Sequence, residues 1–122
     1  MYLENSKTII VKIGSSLIID DKKIIRKKWL LEFAKDIKDL RKKNKNIIIV
    51  SSGAIALGCK KLNITKKKLK IDQSQAVASV GQIELMNLFK EVFAIQKINI
   101  SQILLTLEDT EIRRRAINAK RT

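Results

Sequence analysis

The 122-residue sequence lacks several residue types, and each absence excludes a class of protein. It has no histidine, which removes the usual neutral-pH general base and the commonest zinc ligand, so histidine-based triads and zinc fingers are excluded. Its single cysteine, Cys59, cannot form an internal disulfide. No apolar run approaches the ~18 residues that a membrane-spanning helix needs, and the amino terminus from Met1 to Lys7 is polar. These features predict a protein of the reducing cytoplasm.

Proline is absent and aromatic residues make up only 4% of the chain, yet 45% of the residues are apolar. That apolar fraction is too high for an intrinsically disordered protein. A single domain of this length can bury roughly two-thirds of its unfolded surface. The composition therefore predicts one globular unit with a hydrophobic core.

Acidic residues are few, at 12 against 26 lysines and arginines, which leaves a net charge of +14. The excess lies in residues 1–70, with 19 basic and 6 acidic side chains, whereas residues 71–122 have 7 and 6. Two interpretations are open: a solvated lysine-rich face, or a basic module that binds nucleic acid. No aromatic residues interleave with the basic clusters and no recognition motif is present, so we expect no nucleic-acid partner.

Apolar runs alternate with helical periodicities along the first half of the chain. Residues 8–13 and 47–50 are β-branched runs that predict two strands, each buried on both faces. Between them an amphipathic helix that ends near Lys43 is predicted by apolar residues at spacings of three and four, namely Trp29, Leu30, Phe33, Ala34, Ile37 and Leu40. A strand, a helix and a strand predict a βαβ unit with parallel strands and a right-handed crossover.

Further elements are predicted in the second half. Residues 54–62 predict a short helix and residues 63–70 a polar connector. A longer helix over residues 72–93 is predicted from apolar positions that include Ala76, Val80 and Ile83, although Gly81 weakens its middle. A third strand is predicted at residues 98–105 and another helix at residues 111–120.

The order β, α, β, α, α, β, α predicts an α/β fold, an open and mainly parallel sheet covered by helices. Three strands are few for such a sheet, so a further strand is expected and the chain is predicted to be the first half of a larger domain.

Two glycine- and serine-containing turns follow the first two predicted strands, where open parallel sheets bind ligands. In the first turn, Gly14 can present backbone N–H groups to an anion, Ser15 adds a hydroxyl and Lys12 adds a charge, a combination that suits a phosphate. A lysine in a buried strand is costly unless its ammonium reaches a partner or water. The alternative is that Lys12 lies at a strand end and extends to solvent.

In the second turn, Ser52 and the free N–H groups of the following helix could cradle a carboxylate or a phosphate. The alternative is an ordinary serine N-cap with a glycine for a tight turn, without a function. Cys59 is interpreted as a small packing residue and residues 113–115 as surface. Asp20 and Asp21 could touch a metal, but paired acids before a helix more often oppose the charge of its dipole. Gln73, Gln75 and Gln82 could hydrogen-bond a polar substrate or face water.

Five segments in this order resemble the glutamate 5-kinases, or γ-glutamyl kinases, of the amino acid kinase family. They are VKIGSS at residues 11–16, IVSSGAIALG at 49–58, QAVASVGQ at 75–82, QILLT at 102–106 and NA at 118–119. The resemblance implies transfer of the γ-phosphoryl group of ATP, as its Mg²⁺ complex, to the side-chain carboxylate of L-glutamate, the first step of proline biosynthesis. That reaction needs no general base, because a carboxylate is already ionised at neutral pH.

The resemblance also implies roles for individual residues. Lys12 would be the catalytic residue and would contact the ATP phosphates together with Gly14 and Ser15. The glutamate-binding residues implied are Ser52, Gly53 and Ala54.

The members of that family continue beyond residue 122, so residues 1–122 would be the amino-terminal part of the kinase domain without its nucleotide-binding half. The chain alone is then expected to be inactive. A homo-oligomer or a complementing chain is compatible with this expectation, as is a truncated inactive remnant.

Overall fold

The computed structural model describes residues 2–105 of the protein. A short helix α1 (Tyr2–Asn5) precedes strand β1 (Thr8–Ile13), a 3₁₀ turn (Ser15–Leu17) and helix α2 (Lys27–Lys42). Strand β2 (Asn46–Ser51), helix α3 (Ala54–Leu62), a second 3₁₀ turn (Lys66–Lys68) and the long helix α4 (Ile71–Ile95) follow. The predicted strands at 8–13 and 47–50 and the helices that end near Lys43, at 54–62 and at 72–93 are thereby confirmed.

Strands β1 and β2 pair in parallel, in continuous register from Thr8 opposite Asn46 to Ile13 opposite Ser51. Both strands are rich in isoleucine and valine, whose branched side chains favour the extended backbone. Helix α2 connects them, so the βαβ unit predicted from the sequence is present. Parallel pairing brings the carboxyl ends of both strands to one edge of the sheet.

Only one face of this sheet is covered within residues 2–105. On the covered face Ile9 and Ile13 are buried. On the opposite face Ile10 is 67% exposed, and Ile48 and Val50 are 44% and 49% exposed. The prediction that both faces are buried is therefore wrong for the described residues. Apolar composition alone could not show it, because both faces of each strand carry isoleucine or valine.

The hydrophobic core lies between the covered face of the sheet and the helices. Its buried side chains come from β1, the segment after it, α2, α3 and α4, and the largest are Phe93, Ile13, Ile18, Leu30, Leu85 and Val92. The scarce aromatic residues concentrate here. Trp29 stacks on Phe33 with ring centroids 5.4 Å apart, and Phe33 meets Phe93 edge-on at 6.2 Å. These contacts fix α2 against α4.

Helix α4 buries a different face from the one predicted for its first half. Val77, Gly81 and Leu85 are buried, whereas Ile83 is 64% exposed and Ala76 is exposed. The reason is the close approach of α3, which selects the face that carries the small residue Gly81. The helix runs without a break through this glycine.

The predicted third strand is not formed in the described part of residues 98–105. None of these residues is in a strand, and the sheet of the described region consists of β1 and β2. Ile103, Leu104 and Leu105 are 48%, 74% and 58% exposed. An apolar run becomes a strand only when a neighbouring edge accepts its backbone hydrogen bonds, and here neither edge does. The helix predicted at residues 111–120 lies outside the described residues.

Candidate functional site

The two glycine-containing turns meet at the carboxyl edge of the sheet. Beyond the last strand pair, the backbone N–H of Ser52 donates to the carbonyl of Ile13 at 3.1 Å, so the strands stay joined where both turns begin. A side-chain carbon at Gly53 would lie 3.5 Å from Ile18 Cδ1 and 3.8 Å from the Cα and Cβ of Ser15. The structure therefore brings the Ser15 and Gly53 positions, which are far apart in sequence, close together.

Gly53 has a backbone conformation that favours glycine. Its φ is +118° and its ψ is −2°, in the left-handed half of the φ/ψ map. It is the N-cap residue of α3, and its carbonyl accepts a hydrogen bond from the N–H of Leu57 at 2.9 Å. A residue with a side chain would be strained in this conformation, so the turn between β2 and α3 favours glycine.

Gly14 differs from Gly53 in its backbone conformation and in the space around it. Its φ of −76° and ψ of 159° are accessible to any residue, so the wider range of backbone angles open to glycine is not used at this position. A side-chain carbon built on Gly14 meets no described atom within 4 Å. Neither backbone strain nor packing in residues 2–105 accounts for glycine here, and the space that it leaves is open.

Backbone N–H groups without a hydrogen-bond acceptor lie at both glycine-containing turns. Within residues 2–105 the N–H groups of Ser15 and Ser16, and of Ala54, Ile55 and Ala56, form no hydrogen bond. These are the first residues of the 3₁₀ turn and of α3, and such N–H groups have no acceptor inside their own helix. They provide two sets of donors for an anionic ligand, one set on each turn.

The serine N-cap considered as the alternative for the second turn is not formed. Gly53 occupies the N-cap position and α3 has no side-chain cap. The Ser52 hydroxyl instead lies 3.5 Å from the carbonyl of Ile13, and the Ser51 hydroxyl donates to the carbonyl of Ser52 at 2.9 Å. Ser52 is exposed, so its hydroxyl is open to a ligand as well as to this weak contact.

Lys12 lies on the open face of the sheet, one residue before the end of β1 and opposite Val50. Its side chain is exposed, and no hydrogen bond or ion pair to it is formed in the described part of the chain. The argument that a buried lysine needs a partner therefore does not apply. What distinguishes Lys12 is its place: a free ammonium on a strand that leads directly into the Gly14 turn.

The second turn rests on α4 through a direct contact of backbones. A side-chain carbon at Gly81 would lie 1.6 Å from the carbonyl oxygen of Ala54 and 2.6 Å from the nitrogen of Gly58. One at Gly58 would lie 2.2 Å from the carbonyl oxygen of Val77. The sequence analysis treated Gly81 only as a weak point of a helix. The sequence feature that could have predicted this close packing of α3 on α4 is a glycine in each of the two successive helices, Gly58 and Gly81.

The loop after the first turn is shaped by Asp20. Its Oδ1 accepts hydrogen bonds from the backbone N–H groups of Lys22 and Ile24, both at 2.9 Å. An antiparallel bridge between Ile19 and Ile25 closes the loop. Among residues 2–105, no group of three or more metal-ligating side chains is present. Asp20 is thus a turn residue, a role that the sequence analysis did not consider.

The remaining polar and reactive residues considered in the sequence analysis have packing, capping or surface positions. Cys59 is buried at 3% exposure in the α3–α4 contact, as expected of a packing residue. The Gln73 side chain accepts a hydrogen bond from the N–H of Lys70 at 2.9 Å and so begins α4. Gln75 is exposed and Gln82 is half-buried. Residues 113–115 lie outside the described residues. No helix of residues 2–105 is long and apolar enough to cross a bilayer.

Many of the lysines have structural partners on the surface. Lys60 donates to the carbonyl of Lys23 at 2.6 Å, and Lys23 donates to the carbonyl of Ile64 at 3.2 Å. Lys61 pairs with Glu84 at 3.7 Å, and Lys27 pairs with Glu91. Lys60, Lys61, Glu84 and Glu91 also line a cavity of about 410 Å³ between α3 and α4 that includes neither turn.

Comparison with known proteins identifies the family of the chain. The sequence profile of the amino acid kinase family matches residues 7–122. The chain is 77% identical over its whole length to a protein of Pelagibacter ubique named glutamate 5-kinase, of which it covers 33%. Proteins of the same name from a Ruegeria species and from Bradyrhizobium diazoefficiens are 44% and 45% identical over 98% of the chain, which covers 33% and 32% of them.

The chain thus spans about one third of the length of these curated relatives. The family match includes both turns, the α3–α4 crossing and the segments quoted for the resemblance. From the sequence profile and from the parallel strands that carry two adjacent glycine turns, the chain belongs to the amino acid kinase family.

Proposed function

We propose that the protein containing this chain is a glutamate 5-kinase, which transfers the γ-phosphoryl group of ATP to the side-chain carboxylate of L-glutamate. One structural observation carries the proposal. The Gly14 and Gly53 turns lie side by side at one edge of the sheet, with open space at Gly14 and free N–H donors on both turns. Two anionic reactants held side by side need such a pair of donor sets. The names of the relatives supply the identity of the reactants.

The first turn is the proposed phosphate site. Lys12 would contact the ATP phosphates and offset the charge of the transferring group, and Ser15 would donate from its hydroxyl and its N–H. Gly14 lets a phosphate approach the backbone, since a side-chain carbon there would occupy the open space. The absence of any internal reason for glycine at this position supports the assignment.

The second turn is the proposed glutamate site. Ser52, Gly53 and Ala54 would hold the amino acid through the Ser52 hydroxyl and the N–H groups at the start of α3. The close approach of Gly53 to Ser15 would set the distance between the two reactants. Holding reactants in this way accounts for much of the catalysis of phosphoryl transfer, which depends on position and charge stabilisation.

The proposed step is a single displacement at phosphorus. A carboxylate oxygen of glutamate attacks the γ-phosphorus, and the bond to the oxygen that bridges the β- and γ-phosphates breaks. That oxygen leaves on ADP with the electron pair, and γ-glutamyl phosphate forms. No proton is transferred, because the attacking carboxylate is ionised at neutral pH. A chain without histidine can therefore support the reaction.

Magnesium would arrive with ATP, held by the phosphate oxygens. We further propose that residues 1–122 form the amino-terminal part of the kinase domain and that the rest of the ATP site lies outside them. On this proposal the isolated 122 residues have no kinase activity, and the whole enzyme acts in the cytoplasm.

The test is Lys12→Ala in the protein at its natural length, with Lys7→Ala as the matched control. Lys7 is an exposed lysine just before β1, at the far end of the same strand. Formation of γ-glutamyl hydroxamate from ATP, glutamate and hydroxylamine is measured. Loss of a charge that stabilises the transition state lowers kcat by about a hundredfold, while Lys7→Ala leaves it unchanged. Normal turnover by Lys12→Ala would remove Lys12 from the mechanism, and an inactive wild-type protein would overturn the proposed function.

A further inference from the structure

We propose that Arg26 is a positioning residue that holds the Ser15–Leu17 turn in the shape needed to contact phosphate. The inference rests on the proposed function of that turn. Arg26 is the N-cap residue of α2, ten positions after Ser16 along the chain. It connects the start of a helix to the turn that leaves the sheet.

Two hydrogen bonds make this connection. The Arg26 Nε donates to the carbonyl oxygen of Ser16 at 2.7 Å, and its backbone N–H donates to the carbonyl of Ile18 at 2.8 Å. The Arg26 carbonyl in turn accepts from the N–H of Leu30 at 3.0 Å. The side-chain bond is charge-assisted, and such bonds are shorter and stronger than neutral ones. The turn is therefore linked to α2 through both the side chain and the backbone of one residue.

The side-chain bond acts on the carbonyl end of the turn. The carbonyls of Gly14 and Ser15 accept N–H groups of Leu17 and Ile18, at 3.1 and 3.0 Å. For the Ser16 carbonyl, Arg26 is the hydrogen-bond partner that the described residues provide. The free N–H groups of Ser15 and Ser16 point the other way, toward the start of the turn.

This arrangement predicts an effect on binding and little effect on folding. Arg26 is exposed, so water can replace its hydrogen bond to Ser16 when the side chain is removed. The fold does not depend on the bond, since Arg26 itself lies outside the hydrophobic core, which holds Ile18 just after the turn. The backbone hydrogen bonds of Leu17 and Ile18 and the buried Ile18 keep the turn in place, but the Ser16 carbonyl loses its partner, so the N–H groups of the turn lose part of their common direction. Affinity for the phosphates of ATP should fall, whereas affinity for glutamate should not.

The experiment compares Arg26→Ala, Arg26→Lys and Arg41→Ala in the protein at its natural length. Arg41 is an exposed arginine on the same helix whose Nη1 also donates to a backbone carbonyl, that of Lys45 at 3.5 Å. Hydroxamate formation is measured at varied ATP and varied glutamate, and amide hydrogen exchange is measured at Leu17 and Ile18. We expect Arg26→Ala to raise KM for ATP about tenfold with KM for glutamate unchanged, and to speed exchange at both amides.

Arg26→Lys should restore most of the ATP affinity, because an ammonium can donate to the same carbonyl. Arg41→Ala should behave as wild type. The inference is overturned if Arg26→Ala leaves KM for ATP and amide exchange unchanged, if both KM values rise together, or if Arg41→Ala has the same effect. Failure of the inference alone is recognised by an active wild type that Lys12→Ala inactivates. A wild type that forms no hydroxamate overturns the proposed function, and the role of Arg26 with it.

Discussion

The two turns at the edge of the sheet contain the same residue types but hold their glycines for different reasons. Gly53 has a φ of +118°, a backbone conformation that residues with side chains rarely adopt, so the fold itself requires glycine there. Gly14 has an ordinary φ of −76° and open space where a side chain would be. The comparison teaches that backbone conformation accounts for glycine at the second turn, whereas at the first turn glycine leaves the space that the proposed phosphate site would use.

The largest expected effect on stability is at Gly81 of α4, whose backbone packs directly against α3 where it follows the second turn. Gly81→Ala places a methyl group 1.6 Å from the carbonyl oxygen of Ala54, and neither backbone can move without separating α3 from α4. We expect the free energy of unfolding, measured with urea, to fall by about 3 kcal/mol. Ala78→Gly, at a half-buried position of the same helix, controls for a change in helix propensity. A loss no larger than in that control would mean that the two helices are not in backbone contact.

The next effect is at Gly53 itself. Gly53→Ala forces a residue with a side chain into the left-handed region, which costs about 2 kcal/mol of unfolding free energy. Ser52→Ala, the neighbouring substitution in the same turn, tests whether any change there is harmful, and we expect it to be nearly neutral for folding. If Gly53→Ala unfolds at the same urea concentration as wild type, then the turn is not held at positive φ.

A smaller effect is expected at Asp20, in the loop that follows the first turn. Asp20→Ala removes the acceptor for the N–H groups of Lys22 and Ile24 and should lower the free energy of unfolding by about 1 kcal/mol. Asp21→Ala removes the same charge from the adjacent exposed position and is the matched control. Equal losses in the two variants, measured by urea denaturation, would show that charge and not the turn is responsible.

The smallest effect on stability, and the sharpest test of the comparison, is at Gly14. Gly14→Ala should leave the free energy of unfolding unchanged or raise it by about 0.5 kcal/mol, because alanine restricts the unfolded chain. The same variant should raise KM for ATP in the protein at its natural length, since the methyl group occupies the open space. A loss of stability like that of Gly53→Ala, with ATP binding intact, would make the two turns equivalent and remove the argument for a phosphate at the first.

Much of the local structure follows from the sequence. The β-branched runs at residues 8–13 and 47–50 and the apolar stripe of α2 fix the strands and that helix, because these patterns depend on neighbours in the chain. The two glycine turns could be located in the same way, and parallel pairing then brings them together. The resemblance of their segments to the glutamate 5-kinases indicated the family that the comparison confirms.

The failures have a common cause, which is that they depend on what packs against a segment. The apolar run at residues 98–105 has the composition of a strand but no partner edge in the described region. Ile10 and Ile48 are apolar residues of a type that is usually buried, yet no described element covers them. Ala76 and Ile83 lie on an apolar stripe with the same helical spacing as the stripe that α4 buries. In each case the sequence allows more than one structure or more than one buried face. Which of them forms depends on the element that packs against the segment.

By itself, then, the sequence determined β1, α2, β2, α3 and α4, their order and the family, because backbone propensity and hydrophobic period are local properties. Only the tertiary structure decided which glycine is required by the fold and which leaves space, since that depends on atoms such as those of Ser15, Ile18 and Ala54. It also brought Arg26 to the Ser16 carbonyl across a loop that no periodicity describes. Contacts between residues distant in sequence arise from packing, and packing is where these distinctions were made.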